Sequence, residues 1–349
     1  MMFHTKSKTT SGLAIRQPSH RKLVLWDVTI VVAILASLAF VAVRTNAAQW
    51  TRLTSGLFQD HSGNQAVSWE STESQSAAEL IAALKSPDPN IRINAAQALG
   101  TVQGNHAIDA LLSATYDSDS RVVEQAAMAL GKIGAIQAAP RLRELQIVQG
   151  NTFIQVAANQ AMEKIEKSIA ARLNVPRDAV QAVAVAQNGI AYAVVSNNLY
   201  TANDGGWLYL SRLPDSLNDL AVTPDGQSLF VATQATGLYR SQNRGQTWEY
   251  LEFGLHTPTQ LTTTAVVVDP EKVQRLYLAL AVGSEGEHVN SLGIAVSNDG
   301  GKTWVILPDS PPWSVTRHLI IDHTTPEFLY GLADEGPWRY ALTADASSN

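Results

Sequence analysis

The sequence predicts a multidomain protein that combines α and all-β parts: one N-terminal transmembrane helix, a short α-solenoid, then a small or incomplete β-propeller of about four blades. Three observations carry this reading. Residues 28–43 form an uncharged apolar run, an Ala-Ala-x-Ala-Leu-Gly pattern recurs in register between residues 86 and 133, and a Ser-x-Asp-x-Gly-x-Thr-Trp turn recurs after residue 240.

The membrane segment comes first. Leu23–Val43 supplies the roughly 20 mostly apolar residues that a spanning helix needs, with Asp27 near one end and Trp26 suited to the interface. A cleavable signal peptide has a shorter basic region and a shorter apolar core, so residues 23–44 are read as an uncleaved anchor in membrane lipid. Lys6, Lys8, Arg16, Arg21 and Lys22 precede the helix, and only Arg44 and Arg52 follow it closely. The positive-inside rule then leaves residues 1–22 as a basic cytoplasmic tail and places the C-terminal domains outside the cytoplasm, in periplasm, exterior or lumen. The whole chain carries −6. Because the tail is purely basic, the remainder is more acidic than that, which excludes a nucleic-acid partner, since phosphate binding needs clustered Lys and Arg. The chain has no cysteine, which excludes disulfides, thiolate metal sites and Cys nucleophiles.

Residues 45–76 are rich in Ser, Thr, Gln, Asn and Gly, without hydrophobic periodicity. They predict a flexible linker, with Trp50, Leu57 and Phe58 resting at the membrane interface.

Two segments then align at an offset of 31: residues 86–102 and 117–133 share Ala-Ala-x-Ala-Leu-Gly-x-(Val/Ile), and Ala157-Ala158, Ala161-Met162 and Ile165 form a weaker third copy. A fixed period near 30 marks a helical solenoid. Asp88 and Asp119 stand where N-caps are needed and Pro89 at the first helical position. The alanines permit close helix packing, Leu99 and Leu130 fill the core, and Gly100 and Gly131 are expected to stop or bend their helices. Partner helices are predicted over 77–84, 106–114 and 137–148. These residues resemble HEAT-like repeats of the phycobilisome-lyase type, over about 77–173. The resemblance implies a packing and docking surface. The bilin chemistry of the lyases has no support in the residues.

From residue 179 the period changes to short apolar runs separated by Gly, Asp and Asn turns, the pattern of an all-β domain. Four units fit residues 179–342, and 343–349 form a tail. Ser297, Asp299, Gly301, Thr303 and Trp304 complete the turn pattern. Ser241, Asn243, Gly245, Thr247 and Trp248 repeat it with Asn for Asp, and residues 201–207 hold a degenerate copy ending in Trp207. In such a turn Asp or Asn accepts backbone N–H groups, Gly supplies positive φ, and Trp packs between sheets. The motif resembles the Asp-box (BNR) repeat of sialidases, sortilin-like receptors and the photosystem II assembly factor. Those propellers have more blades than can be laid out here, and the fourth unit ends before an Asp-box. The resemblance therefore implies either a small open propeller or one completed by a partner.

No catalytic constellation is expected. Sialidase chemistry needs an arginine cluster with a nucleophile and an acid, but Arg212, Arg240, Arg244, Arg275, Arg317 and Arg339 are scattered. His318 and His323 point to opposite faces of a continuous strand. No residue is expected to serve catalysis or to hold a cofactor or metal, and Trp313 and Trp338 are the candidate partner contacts. The leading functional reading is a membrane-anchored scaffold, assembly factor or accessory subunit that binds protein subunits of a membrane complex. Photosynthetic or respiratory complexes are what the assembly-factor resemblance implies. The alternatives are a glycan- or cell-wall-binding module and, last, a sialidase-like hydrolase.

Overall fold

The computed structural model describes residues 77–102, 104–147, 150–203, 206–253, 261–283, 289–308, 310, 315–322 and 328–342. The expected basic tail, membrane span, linker and C-terminal tail lie outside the described residues, as do Trp313 and His323. Among the described residues no helix is long and apolar enough to cross a membrane.

Among the described residues six helices come first: α1 (Ala77–Ala83), α2 (Pro89–Leu99), α3 (Asn105–Ala114), α4 (Ser120–Ile133), α5 (Ala139–Ile147) and α6 (Thr152–Leu173). Each of α2, α4 and α6 starts on a side-chain cap: Asp88, Asp119 and Asn151 accept from the backbone N–H two residues on. Pro89 follows its cap at the first helical position, where its missing N–H costs nothing. The helices pair as α1–α2, α3–α4 and α5–α6, and α2, α4 and α6 stack in a row. Arg92 of α2 clamps Asp117 of the next repeat with two hydrogen bonds of 2.7 Å.

The glycine at the end of the repeat motif works differently from the sequence-based expectation. Gly100 does cap α2, but in right-handed geometry. Gly131 lies inside α4, which runs two residues further to a left-handed stop at Gly134, where φ is 72°. What the two glycines share is contact with the next helix. A β-carbon on Gly100 would lie 3.0 Å from Ala129 Cβ, and one on Gly131 would overlap the backbone of Ala161. The repeat needs glycine there because neighbouring helices cross at that point.

The α6 helix ends in a left-handed Asn174 and a short 3-10 turn, braced by an Arg177–Glu166 ion pair of 2.6 Å, leads into the sheets. Blade one is β1 (Val180–Val185), β2 (Ala191–Val195), β3 (Asn198–Asn203) and β4 (Gly206–Arg212). Blade two is β5 (Leu217–Val222), β6 (Leu229–Thr233), β7 (Leu238–Ser241) and β8 (Glu249–Leu251). Blade three is β9 (Leu261–Val268), β10 (Leu276–Val282), β11 (Asn290–Ser297) and β12 (Val305–Ile306). Blade four has three strands among the described residues, β13 (Thr316–Ile321), β14 (Phe328–Ala333) and β15 (Gly336–Ala341). Every sheet is an antiparallel meander in chain order, and the inner strands β1, β5, β9 and β13 follow one another around a centre. This is a propeller-like arrangement of four blades.

The helices belong to the same packing. Val180, Val183, Ala193 and Val195 of blade one are buried in one hydrophobic cluster with Leu130, Leu142, Ile154 and Ile165 of the helical repeats. In addition, α5 packs against both β1 and β14. The solenoid therefore stands between the first and last blades, where further blades would otherwise be needed, and covers the faces they would have covered. No element of another chain is required to bury this side of blade one.

Candidate functional site

Two kinds of site follow from this architecture: the Asp-box turns on the periphery and the cavity at the centre.

In the third blade, Asp299 accepts hydrogen bonds from Ser297 Oγ (2.8 Å), Lys302 N (3.0 Å), Thr303 N (2.9 Å) and Thr303 Oγ1 (2.7 Å). Burial works against its charge, but the hydrogen bonds from Thr303, Ser297 and Lys302 outweigh this and bring its pKa down to about 2. In the second blade, Asn243 Oδ1 accepts from Thr247 N (2.9 Å) and Ser241 Oγ (2.9 Å), and its Nδ2 donates to Thr247 Oγ1 (2.8 Å). In each turn the serine hydroxyl accepts from the glycine N–H, Gly245 or Gly301, at 2.8 Å. Both glycines have positive φ, 81° and 90°.

Each Asp-box also grips the preceding blade. A β-carbon on Gly245 would overlap Leu199 of blade one, and Ser211 of that blade donates to Gly245 O (2.5 Å) while accepting from Trp248 Nε1 (3.0 Å). A β-carbon on Gly301 would lie 2.7 Å from Leu251 of blade two, and Arg240 there donates to Gly300 O (2.8 Å). Trp304 is buried, with its ring 5.7 Å from Phe253 of blade two. Trp207 and Trp248 are half-buried. The candidate contact Trp338 is also half-buried: it packs over Gly331, where no β-carbon would fit, and donates to Thr316 Oγ1 (3.1 Å).

Further in, the first strand of every blade carries a register shift near its start: Gln181, Asn218, Thr264 and Arg317 are the unpaired residues. Such bulges re-aim side chains. Asn218 Nδ2 donates to Thr263 O of blade three (2.8 Å), and Thr264 Oγ1 donates to Thr316 O of blade four (2.6 Å). The bulges thus stitch blade to blade.

Inside this ring lies a cavity of about 1330 Å³, bounded by the four inner strands, α5 and α6. Val183, Leu220, Val266 and Leu319 line it, with Gln155 and Asn159 of α6. Its charged lining, which also includes Glu163 and Arg177, brings together Asp219, His318 and Arg143 from distant parts of the chain. Asp219 is buried and accepts from Leu220 N (2.9 Å) and from Val266 N of blade three (3.1 Å). Burial raises its pKa, opposed by the charges of His318 and Arg143. His318 is open to the water of the cavity yet enclosed by protein on most sides. That enclosure lowers its pKa, Asp219 opposes the shift, and Arg143 and Arg317 add to it.

Sequence reasoning missed this cluster. A signal existed for Asp219, an acid inside the apolar run Leu217–Val222. The only histidine near His318 in the sequence is His323, and neither Asp219 nor Arg143 is close to it in chain order. Nothing local marks Arg143.

Residues 77–163 match the family model of HEAT repeats. No curated protein matches the chain. Among solved structures, similar chains include the GH74 enzyme of Niastella koreensis (21% identity, covering 47% of this chain and 28% of that one, TM-score 0.36). They also include YCF48 from Cyanidioschyzon merolae (16% identity, 46% and 50%, TM-score 0.36) and the computationally designed Ika4 protein (11% identity, 47% and 91%, TM-score 0.34). All are distant likenesses, and this chain spans only half of YCF48 and less of the GH74 enzyme.

Proposed function

We propose that this protein is a non-catalytic, membrane-anchored scaffold that binds protein subunits of a larger membrane complex, as an assembly factor or accessory subunit. One observation carries the reading. HEAT-repeat helices are fused to a blade module in one continuous core, and α6 holds Phe153 and Val156, one turn apart, 74% and 47% exposed. Stacked helical repeats offer extended protein-binding surfaces, and uncovered apolar side chains on such a surface mark a contact face. Residues 23–44 supply the membrane anchor, with the described domains outside the cytoplasm. A photosynthetic or respiratory complex is the partner class in keeping with the Asp-box resemblance.

A sugar-binding role is less well supported, because Trp248 and Trp304 donate their indole N–H groups inside the protein and stand between blades. The test is purification of the full chain from detergent-solubilised membranes. The expected result is stoichiometric membrane subunits that are lost in a Phe153→Asp/Val156→Asp variant. Recovery of the chain alone would overturn the proposal.

A further inference from the structure

The central cavity holds a cation that the fold leaves uncommitted. Among the charged residues that line it, Arg177 pairs with Glu166 at 2.6 Å, Glu163 with Lys167 at 2.8 Å and Glu144 with Arg141 at 2.9 Å. Asp109 is exposed to solvent. Asp219 is buried in the wall, and each of its two oxygens already accepts a backbone N–H. Arg143 of α5 is half-buried and has no hydrogen bond or ion pair among the described residues. A guanidinium held partly out of water needs an acceptor, and its planar fork of N–H donors matches a carboxylate.

His318 is the second donor. Its ring lines the same cavity and has no hydrogen bond among the described residues, so a neutral imidazole still has one N–H to offer. The charges that act on it are those of Asp219 on β5, Arg143 on α5 and its neighbour Arg317 on β13. This balance suits one negative charge. A dianion would meet Asp219 with no second uncommitted arginine to offset it, and a cation would be repelled by Arg143. The walls decide the rest of the ligand. Val183, Leu220, Val266 and Leu319 line the cavity, and no Phe, Tyr or Trp does so among the described residues. A nucleobase would have no ring to stack on, whereas an alkyl chain needs only aliphatic cover. At about 1330 Å³ the cavity is larger than the ~300–1,000 Å³ of ordinary small-ligand sites, so such a chain fits.

We propose that the central cavity binds an aliphatic carboxylate: Arg143 takes the carboxylate in its fork, His318 adds one N–H, and the valine and leucine walls cover the chain. The site draws one group from the helices and one from blade four, so it exists only because the two parts fold as one body. It needs neither a membrane anchor nor a protein partner, and it stands or falls apart from the scaffold reading.

Octanoate, octanol and octylammonium share one chain and differ in charge. Titrated into the full-length protein in a calorimeter, octanoate should saturate one site and bind more tightly than the other two. Arg143→Gln should weaken octanoate roughly tenfold or more and leave octanol unchanged. Because Arg143 has no bond to lose, this variant should keep the melting temperature of the parent. A second reading needs no change at Arg143. An anion beside His318 favours the imidazolium, so octanoate should raise the His318 pKa in an NMR titration, with the signal assigned by its loss in His318→Asn. Absence of saturable octanoate binding, equal affinity in Arg143→Gln, tighter binding of octylammonium or an unmoved His318 would each overturn the proposal. So would tighter binding of acetyl-leucine, which carries the same carboxylate on a peptide unit and would assign the cavity to a chain terminus.

Discussion

Gly131 of α4 lies directly against Ala161 of α6, with no room for a β-carbon between the two backbones. Gly131→Ala should therefore destabilise the protein even though alanine favours a helix by ~1 kcal/mol, because overpacking of this kind costs about 1–3 kcal/mol. Gly100→Ala should be milder, since its nearest neighbour is the Ala129 methyl at 3.0 Å. Urea denaturation of the two variants measures the difference. Equal stabilities would show that the crossing is not what requires glycine.

Asp299 and Asn243 perform the same task in adjacent blades, so Asp299→Asn should cost little at neutral pH. It should alter the acid limb. The pKa of Asp299 is depressed to about 2, so its stabilising effect is present above the unfolded-state value near 4 and is lost as pH falls towards 2. Denaturation midpoints between pH 5 and pH 2 should fall less steeply in the Asn variant. Parallel curves would refute the assignment.

His318 has a depressed pKa inside the cavity. For a histidine this means that protonation favours the unfolded chain. The stability held by the neutral ring is full above pH ~6.5 and is lost as pH falls through the lowered value. Asp219, whose pKa is raised, has the opposite sign: its contribution is greatest in acid and is lost as pH rises above ~4. His318→Asn should remove the first of these, flattening the stability profile between pH 7 and pH 5. An NMR titration placing His318 at or above 6.5 would contradict the enclosure described.

The blades should not stand without the helices. Residues 179–342 alone would expose Val180, Val183, Ala193 and Val195, all buried in the shared core, and each such side chain is worth ~1.5–3 kcal/mol when large and fully covered. Expressed alone, that segment should bind hydrophobic dye and melt without cooperativity, whereas residues 77–349 should unfold in one transition. A cooperative, monomeric blade module would show that the helices are an appendage.

These cases also show what could be read from the amino acids. The caps Asp88 and Asp119 and the Asp-box hydrogen bonds are local events within a few residues, and their residue types state their roles. The role of Gly131 was hidden because its neighbour is thirty residues away and only the stacking of α4 on α6 brings it close. The helical cover over blade one was hidden in the same way. In β2 every residue from Ala191 to Val195 is buried, a sign that both faces of the blade are covered, but nothing in that run says that the cover is a helix from the same chain. The cavity cluster was least legible, since Asp219, His318 and Arg143 meet only after the ring has formed.

The grip of each Asp-box on the blade before it has a consequence for synthesis. Residues leave the ribosome in order, helices first. Blade one then finds a finished helical platform, and blade two finds Leu199 and Ser211 already in place for Gly245 and Trp248. Blade three meets Leu251 and Arg240 in the same way. Every peripheral lock points backward along the chain, so the newest unit always docks on an older one and never has to wait for one still unmade. The order of translation is also a workable order of assembly.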